Sequence, residues 1–154
     1  MTHSLNRRQA MTVGGGALAA TALCWSDLPA FAESNGFEAL IKEFAGGRAP
    51  LPGRVHLDLP KIADDGASVP ITITVDSPMT EQSHVTDILV VAEENPRPRV
   101  AVFHFSPASG AAEVSTRIRL AKTENVAALA KMNDGAVYMA KKQVTVTVGG
   151  CGTS

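Results

Sequence analysis

Beyond residue 54 the apolar and polar positions alternate in short runs, and turn-forming residues punctuate them at short intervals, a pattern of half-buried strands rather than helices. The stretch "VHLDLPKI" opens the series as a first strand region, and "DDG" at residues 64–66 turns the chain into "SVPITITVD". There Val69, Ile71, Ile73 and Val75 share one side, and Pro70, which has no N–H to give a neighbour, predicts an edge strand or one that begins beside an edge. "VTDILVVAEE" is apolar on both faces, predicting a central strand covered on both sides that stops at "NPRP". "RVAVFHF" repeats that pattern and ends at "SPASG". In "EVSTRIRLA" the period of two places Val114, Thr116, Ile118 and Leu120 inward and Glu113, Ser115, Arg117 and Arg119 outward. "NVAALAKM" has the alanine content of a helix, but Val126, Ala128, Ala130 and Met132 also fit a period of two, and a hairpin signal, "NDG", follows. "AVYMAKKQVTVTV" is the last and longest strand.

One segment ahead of the strands has the other period. In "NGFEALIKEFAGG" Phe37, Leu40, Ile41 and Phe44 form a helical stripe, with Asn35 placed to cap its start and Gly46-Gly47 to stop it. A helix this short is marginal alone, so its apolar face is expected to pack on the domain or on a partner. One helix and some seven strands predict an all-β fold: an immunoglobulin-like two-sheet β-sandwich with a short N-terminal helix and a flexible C-terminal arm.

With 154 residues, 45% hydrophobic and 19% charged, the chain has apolar material for one core. A formal net charge of -1 provides no basic field, which excludes nucleic acid as a partner class. The first residues are an address rather than structure. Arg7 and Arg8 precede a weakly apolar, glycine-rich run and the small-residue site "AFA", which predicts a signal peptide over residues 1–32 cleaved near Ala32. Asp27 and Pro29 cut the apolar run short of the roughly 20 residues that span a bilayer, so no membrane anchor is expected. The paired arginines resemble a twin-arginine signal, which sends proteins already folded into the periplasm. Residues 33–148 then form the sandwich domain with its helix, and residues 149–154 the arm.

Cleavage removes Cys24 and leaves Cys151 as the sole thiol. A single cysteine in an oxidising compartment forms no internal disulfide; it pairs with another molecule, reacts, or is incidental. Other chemistry is scarce. His56 and His104 lie in strand patterns and His84 in a polar loop, none with the spacing of metal ligands, so neither a metal nor another cofactor is expected. Arg117 and Arg119 make a charged outward face. There is no nucleophile elbow, phosphate-binding glycine loop or Cys-Xaa-Xaa-Cys pair, and no catalytic residue is assigned to the domain.

What remains is the ending, "VGGCGTS". Gly149, Gly150 and Gly152 carry no Cβ, so they keep the segment thin and pliable around Cys151. At roughly 3.3 to 3.6 Å per extended residue, three residues from Val148 put the sulfur about 10 Å beyond the last strand. No base or cation is fixed beside Cys151 in the sequence, so activation of its thiol must come from what it visits. A thiol so placed can enter another protein's active site; the rival readings are a structural or adhesive sandwich whose cysteine forms an intermolecular disulfide, and a thiol enzyme pairing Cys151 with His84 or His104.

The segments "VPITITVDSPMTEQSHVTDILVVAEENPRPRVAVFHFSP" and "STRIRLAKTENVAALAKMNDG", the leader and the terminal "GGCG" resemble the family of Y subunits of the Sox sulfur-oxidising system, over essentially the whole chain. The resemblance implies a carrier of thiosulfate oxidation and not an enzyme. It makes Cys151 the covalent attachment site for sulfur intermediates, S-thiosulfonate and persulfide, with Gly149, Gly150 and Gly152 as the swinging arm. It further implies a heterodimer with the Z subunit, exported in complex with this chain, and service to a haem c oxidase, a dimanganese hydrolase and a sulfane dehydrogenase. The family's usual ending is Gly-Gly-Cys-Gly-Gly, whereas here Thr153 and Ser154 follow Gly152, which bears on how the arm docks and not on attachment at Cys151.

Overall fold

Residues 36–150 are described by a computed structural model. One helix, α1 (Phe37–Phe44), precedes strands β1 (Val55–Asp58), β2 (Ile62–Asp65), β3 (Val69–Val75), β4 (Val85–Ala92), β5 (Arg99–His104), β6 (Glu113–Ile118), β7 (Glu124–Met132) and β8 (Val137–Val148). They form two sheets, β1-β3-β6 and β2-β8-β7-β4-β5, which face each other across a core of aliphatic side chains including Val69, Ile71, Ile73, Ile88, Val90, Leu120 and Val126. The all-β, two-sheet sandwich expected from the alternation is the fold.

The first strand region divides. β1 pairs antiparallel with β3, then Leu59 and Pro60 carry the chain across to the other sheet, where β2 lies parallel to β8. A proline cannot continue the ladder, and the break lets one segment serve both sheets. β3 has the predicted inward set, with Val69, Ile71, Ile73 and Val75 buried, yet it is the middle strand of its sheet. Pro70 is tolerated there because β1 ends at Asp58 opposite Thr72, so at Pro70 only β6 is a partner.

β4 is central, as its two apolar faces predict, between β5 and β7. β5 carries the same pattern but has β4 as its only strand neighbour, and none of its residues is buried. β6 is also an edge, so Thr116 stays exposed in spite of its inward register while Ile118 and Leu120 are buried.

The alanine-rich segment is a strand. β7 lies between β4 and β8 and is buried along nearly its whole length. Intrinsic helix preference is worth a few tenths of a kcal/mol per residue, and burial on both faces of a sheet outweighs it. One face of β7 meets the opposing sheet; the other, with Ala127 and Leu129, lies under α1, whose Phe37 and Ile41 pack there with Leu89, Val91 and Val137. The helical stripe thus packs on its own domain. The cap position is Gly36, at φ 81 and with no side-chain bond to the helix, while Asn35 lies outside the described residues. Leu129 is fully buried at this seam, so Leu129→Ala is expected to lower stability by about 2–5 kcal/mol in urea unfolding. A change under about 1 kcal/mol would show that α1 does not seal this face.

Candidate functional site

Cys151 and Gly152 lie outside the described residues, as do Arg7, Arg8 and Ala32; the chain is described up to Gly150, the residue bonded to Cys151. β8 delivers that end. Of its 12 residues, Val137–Val144 pair with β7 and Thr145–Val148 lie beside β2, and near its end the Val146 N–H donates to Thr123 Oγ1 at 3.0 Å. At Val148 the strand gives way to a relay of backbone bonds. Gly66 N–H donates to Val148 O at 2.7 Å, Leu120 N–H to Gly66 O at 2.8 Å, and Gly150 N–H to Leu120 O at 2.9 Å. Gly66 belongs to the β2–β3 turn, which the Ala67 N–H closes by donating to Asp65 Oδ1 at 2.7 Å.

The approach is too close for side chains. A Cβ on Gly66 would collide with Leu120 O and stand 2.8 Å from Gly150 N; one on Gly149 would collide with Ala121 O; one on Gly150 would collide with the backbone of Gly66 and Ala67. The sequence gives Gly149 and Gly150 the part of a pliable leash. The structure seats both against neighbouring backbone, so packing is a second reason for their lack of a Cβ.

The 119–124 connection behind Leu120 rests on Asn95 and Glu124, the two buried polar side chains among the described residues. Asn95 donates through Nδ2 to Arg119 O at 2.9 Å and accepts the Ala121 N–H at 2.8 Å, gripping the chain on both sides of Leu120. Glu124, 2% exposed, accepts the Ala121 N–H at 3.1 Å and the Glu94 N–H at 2.8 Å. Burial pushes the Glu124 carboxyl above its usual range; the backbone N–H groups of Glu94, Ala121 and Lys122 oppose this and the nearby Glu94 charge adds to it. Sequence reasoning assigned no role to Gly66, Asn95 or Glu124. Gly66 carried only a turn signal, and a polar residue that becomes buried through tertiary packing has no local mark.

The histidines sit elsewhere. His104 bonds Asp87 at 2.6 Å, and Asp87 is paired with Lys131, which is paired with Val137 at the start of β8. His84 exchanges bonds with Asn133 in the β7–β8 hairpin. Eleven strand steps separate Val137 from Val148, about 36 Å at 3.3 Å per residue, so His84 and His104 lie at the opposite end of the sandwich from Gly150. Neither can serve a thiol attached there as a base. His56 bonds Asp76 at 2.7 Å on an exposed surface. The Arg117 guanidinium donates to Ser68, and the main-chain carbonyl of Arg119 accepts from Asn95 Nδ2. Among the described residues no group of three His, Cys, Asp or Glu is placed to hold a metal ion, and no helix is long and apolar enough to cross a membrane.

The family model of the sulfur oxidation protein SoxY matches residues 41–151, a span that takes in the sandwich, the slot at Gly66 and Cys151 itself. The chain belongs to the SoxY family. A solved member, the sulfur carrier protein SoxY from Chlorobium limicola f thiosulfatophilum, is 33% identical, with 72% of this chain and 94% of that one covered at a TM-score of 0.57. Superoxide reductases are similar in fold alone: the neelaredoxin of Ignicoccus hospitalis at 17% identity, 61% and 80% coverage and TM-score 0.55, and the enzyme of Nanoarchaeum equitans at 12%, 62% and 100%, and 0.53. No curated protein matches. Within the SoxY family, then, this chain pairs a sandwich whose described residues offer no metal cluster with a C-terminal strand that leads directly to a cysteine.

Because its folded-state pKa is raised, Glu124 contributes stability that is fully present below the ordinary value of 4.5 and is lost as pH rises through the folded value. Glu124→Gln cannot ionise. Urea unfolding of both proteins from pH 4 upward is therefore expected to show the variant gaining on the parent as pH rises, and a pH-independent difference would mean that Glu124 is not desolvated.

Proposed function

We propose that this SoxY-family chain carries sulfur on Cys151 while other proteins of the Sox system do the chemistry. Family membership makes it a sulfur carrier and not an enzyme; the observation that supports Cys151 as the attachment point is that the family match runs through that residue. Two further findings support the reading. His84 and His104 lie at the other end of the sandwich from the chain's end, and β8 delivers that end at the surface, with Val148 61% exposed.

In this reading residues 1–32 are a twin-arginine signal with Arg7 and Arg8, cleaved near Ala32, and the protein works in the periplasm as a heterodimer with the Z subunit. Residues 33–148 are the carrier domain and 149–154 the arm with Gly149, Gly150 and Gly152. A haem c oxidase joins thiosulfate to the Cys151 sulfur. The new bond is between Sγ and the sulfane sulfur, the thiol proton is released, and an electron pair passes to the oxidase. A dimanganese hydrolase adds water to the sulfonate sulfur, so that sulfate leaves and a persulfide stays on Cys151. Where a sulfane dehydrogenase is present, that outer sulfur is oxidised to the sulfonate level and released as a second sulfate by hydrolysis. The glycines serve access to channels too narrow for ordinary side chains.

The test is to incubate the chain with thiosulfate, the Z subunit and the haem oxidase, and to map the product by mass spectrometry. A thiosulfonate on Cys151, absent in Cys151→Ser, is expected. Continued thiosulfate oxidation with Cys151→Ser would sink the proposal, as would a working form that is a reducible arm-to-arm dimer.

A further inference from the structure

Gly66, Gly149 and Gly150 share one geometric burden. Each would place a Cβ on main-chain atoms of Ala67, Leu120, Ala121 or one another, and a backbone collision cannot be relieved by a change of rotamer. The side of the slot formed by Leu120 is itself fixed, because Asn95 holds Arg119 O and the Ala121 N–H, and Glu124 shares the latter. With its two neighbours held, Leu120 has its N–H aimed at Gly66 O and its carbonyl at Gly150 N. The two buried polar side chains thus tie the β4–β5 connection to the segment that carries Leu120.

We propose that Gly66, Gly149 and Gly150 form a backbone clasp that roots the arm at Gly150, with Asn95 and Glu124 as positioning residues beneath it. The inference rests on the reading of Cys151 as the loaded residue. The clasp changes the reach of the sulfur. Measured from Val148, three extended residues span about 10 Å; measured from Gly150, one residue spans about 3.5 Å. With the clasp closed, Cys151 departs from one fixed place between the β2–β3 turn and the 119–124 connection. A deeper excursion requires that the Gly150–Leu120 bond open. The arm's root is therefore preorganised for encounter.

The experiment uses the full chain carrying Cys24→Ser, so that Cys151 is the sole thiol, with Gly150→Ala and Gly66→Ala made in that background. Gly150→Ala acts at the chain's end and leaves the sandwich free to fold; Gly66→Ala attacks the slot from the other side. Amide hydrogen exchange in the parent is expected to show the residue 150 N–H slowed about tenfold or more relative to an unstructured chain, as a closed hydrogen bond requires. Both variants are expected to lose that protection while the Leu129 amide in β7 keeps its own. With the Z subunit and the haem oxidase, the KM for the carrier is expected to rise about tenfold at unchanged kcat, the cost of ordering one backbone residue at each encounter. A purely structural role would lower overall protection and leave that KM where it was. An unprotected Gly150 amide in the parent, or an unchanged KM in both variants, overturns the clasp. A parent that takes up no thiosulfonate at Cys151 overturns the carrier reading instead, and the exchange data then judge the clasp alone.

Discussion

The backbone contact among Gly66, Leu120 and Gly150 is the constraint on which the functional end of this molecule depends. Three strands of main chain meet there with hydrogen bonds of 2.7 to 2.9 Å and no room for a Cβ. Such a contact needs its components delivered in register, and the delivery is the work of the five-stranded sheet. β2 must lie parallel to β8 so that Asp65 comes opposite Val148 and the following Gly66 faces the strand's end. β8 must be guided from Val137 to Val144 by β7, which is sealed on both faces, by the opposing sheet and by α1. The alanines of β7 fit this place: they fill a doubly covered strand without forcing apart the layers on either side.

What was legible in the sequence follows from how local each signal is. The period of two identified the buried face of β3, apolar residues on both faces identified β4 as central, and the stripe at Phe37, Leu40, Ile41 and Phe44 identified α1. Edge or centre was not legible, because that depends on which strands arrive from far along the chain. Pro70 read as an edge signal yet sits on a middle strand at a point its neighbour does not reach, and β5 has a central strand's composition at an edge. The sheet change at Leu59 and Pro60 was hidden for the same reason. At the site, the sequence pointed to Cys151 through isolation and flanking glycines. It could not point to Gly66, Asn95 or Glu124, since Gly66 meets Leu120 and Val148, Asn95 meets Arg119 and Ala121, and Glu124 meets Glu94, all far along the chain.

A carrier also needs its thiol kept from chemistry of its own. The sandwich meets that need by distance. His104 with Asp87, and His84 beside Asn133, occupy the hairpin end of β7 and β8, while the arm leaves from the other. Near the root Glu124 is buried and engaged by backbone N–H groups, and the exposed Asp65 accepts the Ala67 N–H in the β2–β3 turn. The superoxide reductases show that this type of sandwich is compatible with unrelated chemistry, which is a matter of the residues grafted on it and not of the layers.

In the proposed reading the arm visits several proteins and faces opposed demands. A long free tether reaches any site but spreads its thiol over a volume that grows steeply with length, which lowers the effective concentration at each site. A short tether concentrates the thiol but reaches little. A clasp at the root reconciles the two because its closure is only one hydrogen bond and a fitted contact: closed, it keeps the tether short for the first encounter; opened by a partner's own binding energy, it releases the longer reach. On that proposal the glycines would serve twice, as thin passage through a partner and as residues without a Cβ that fit the slot. A non-glycine residue at position 150 would be excluded by the slot even if every partner channel were wide enough to admit it.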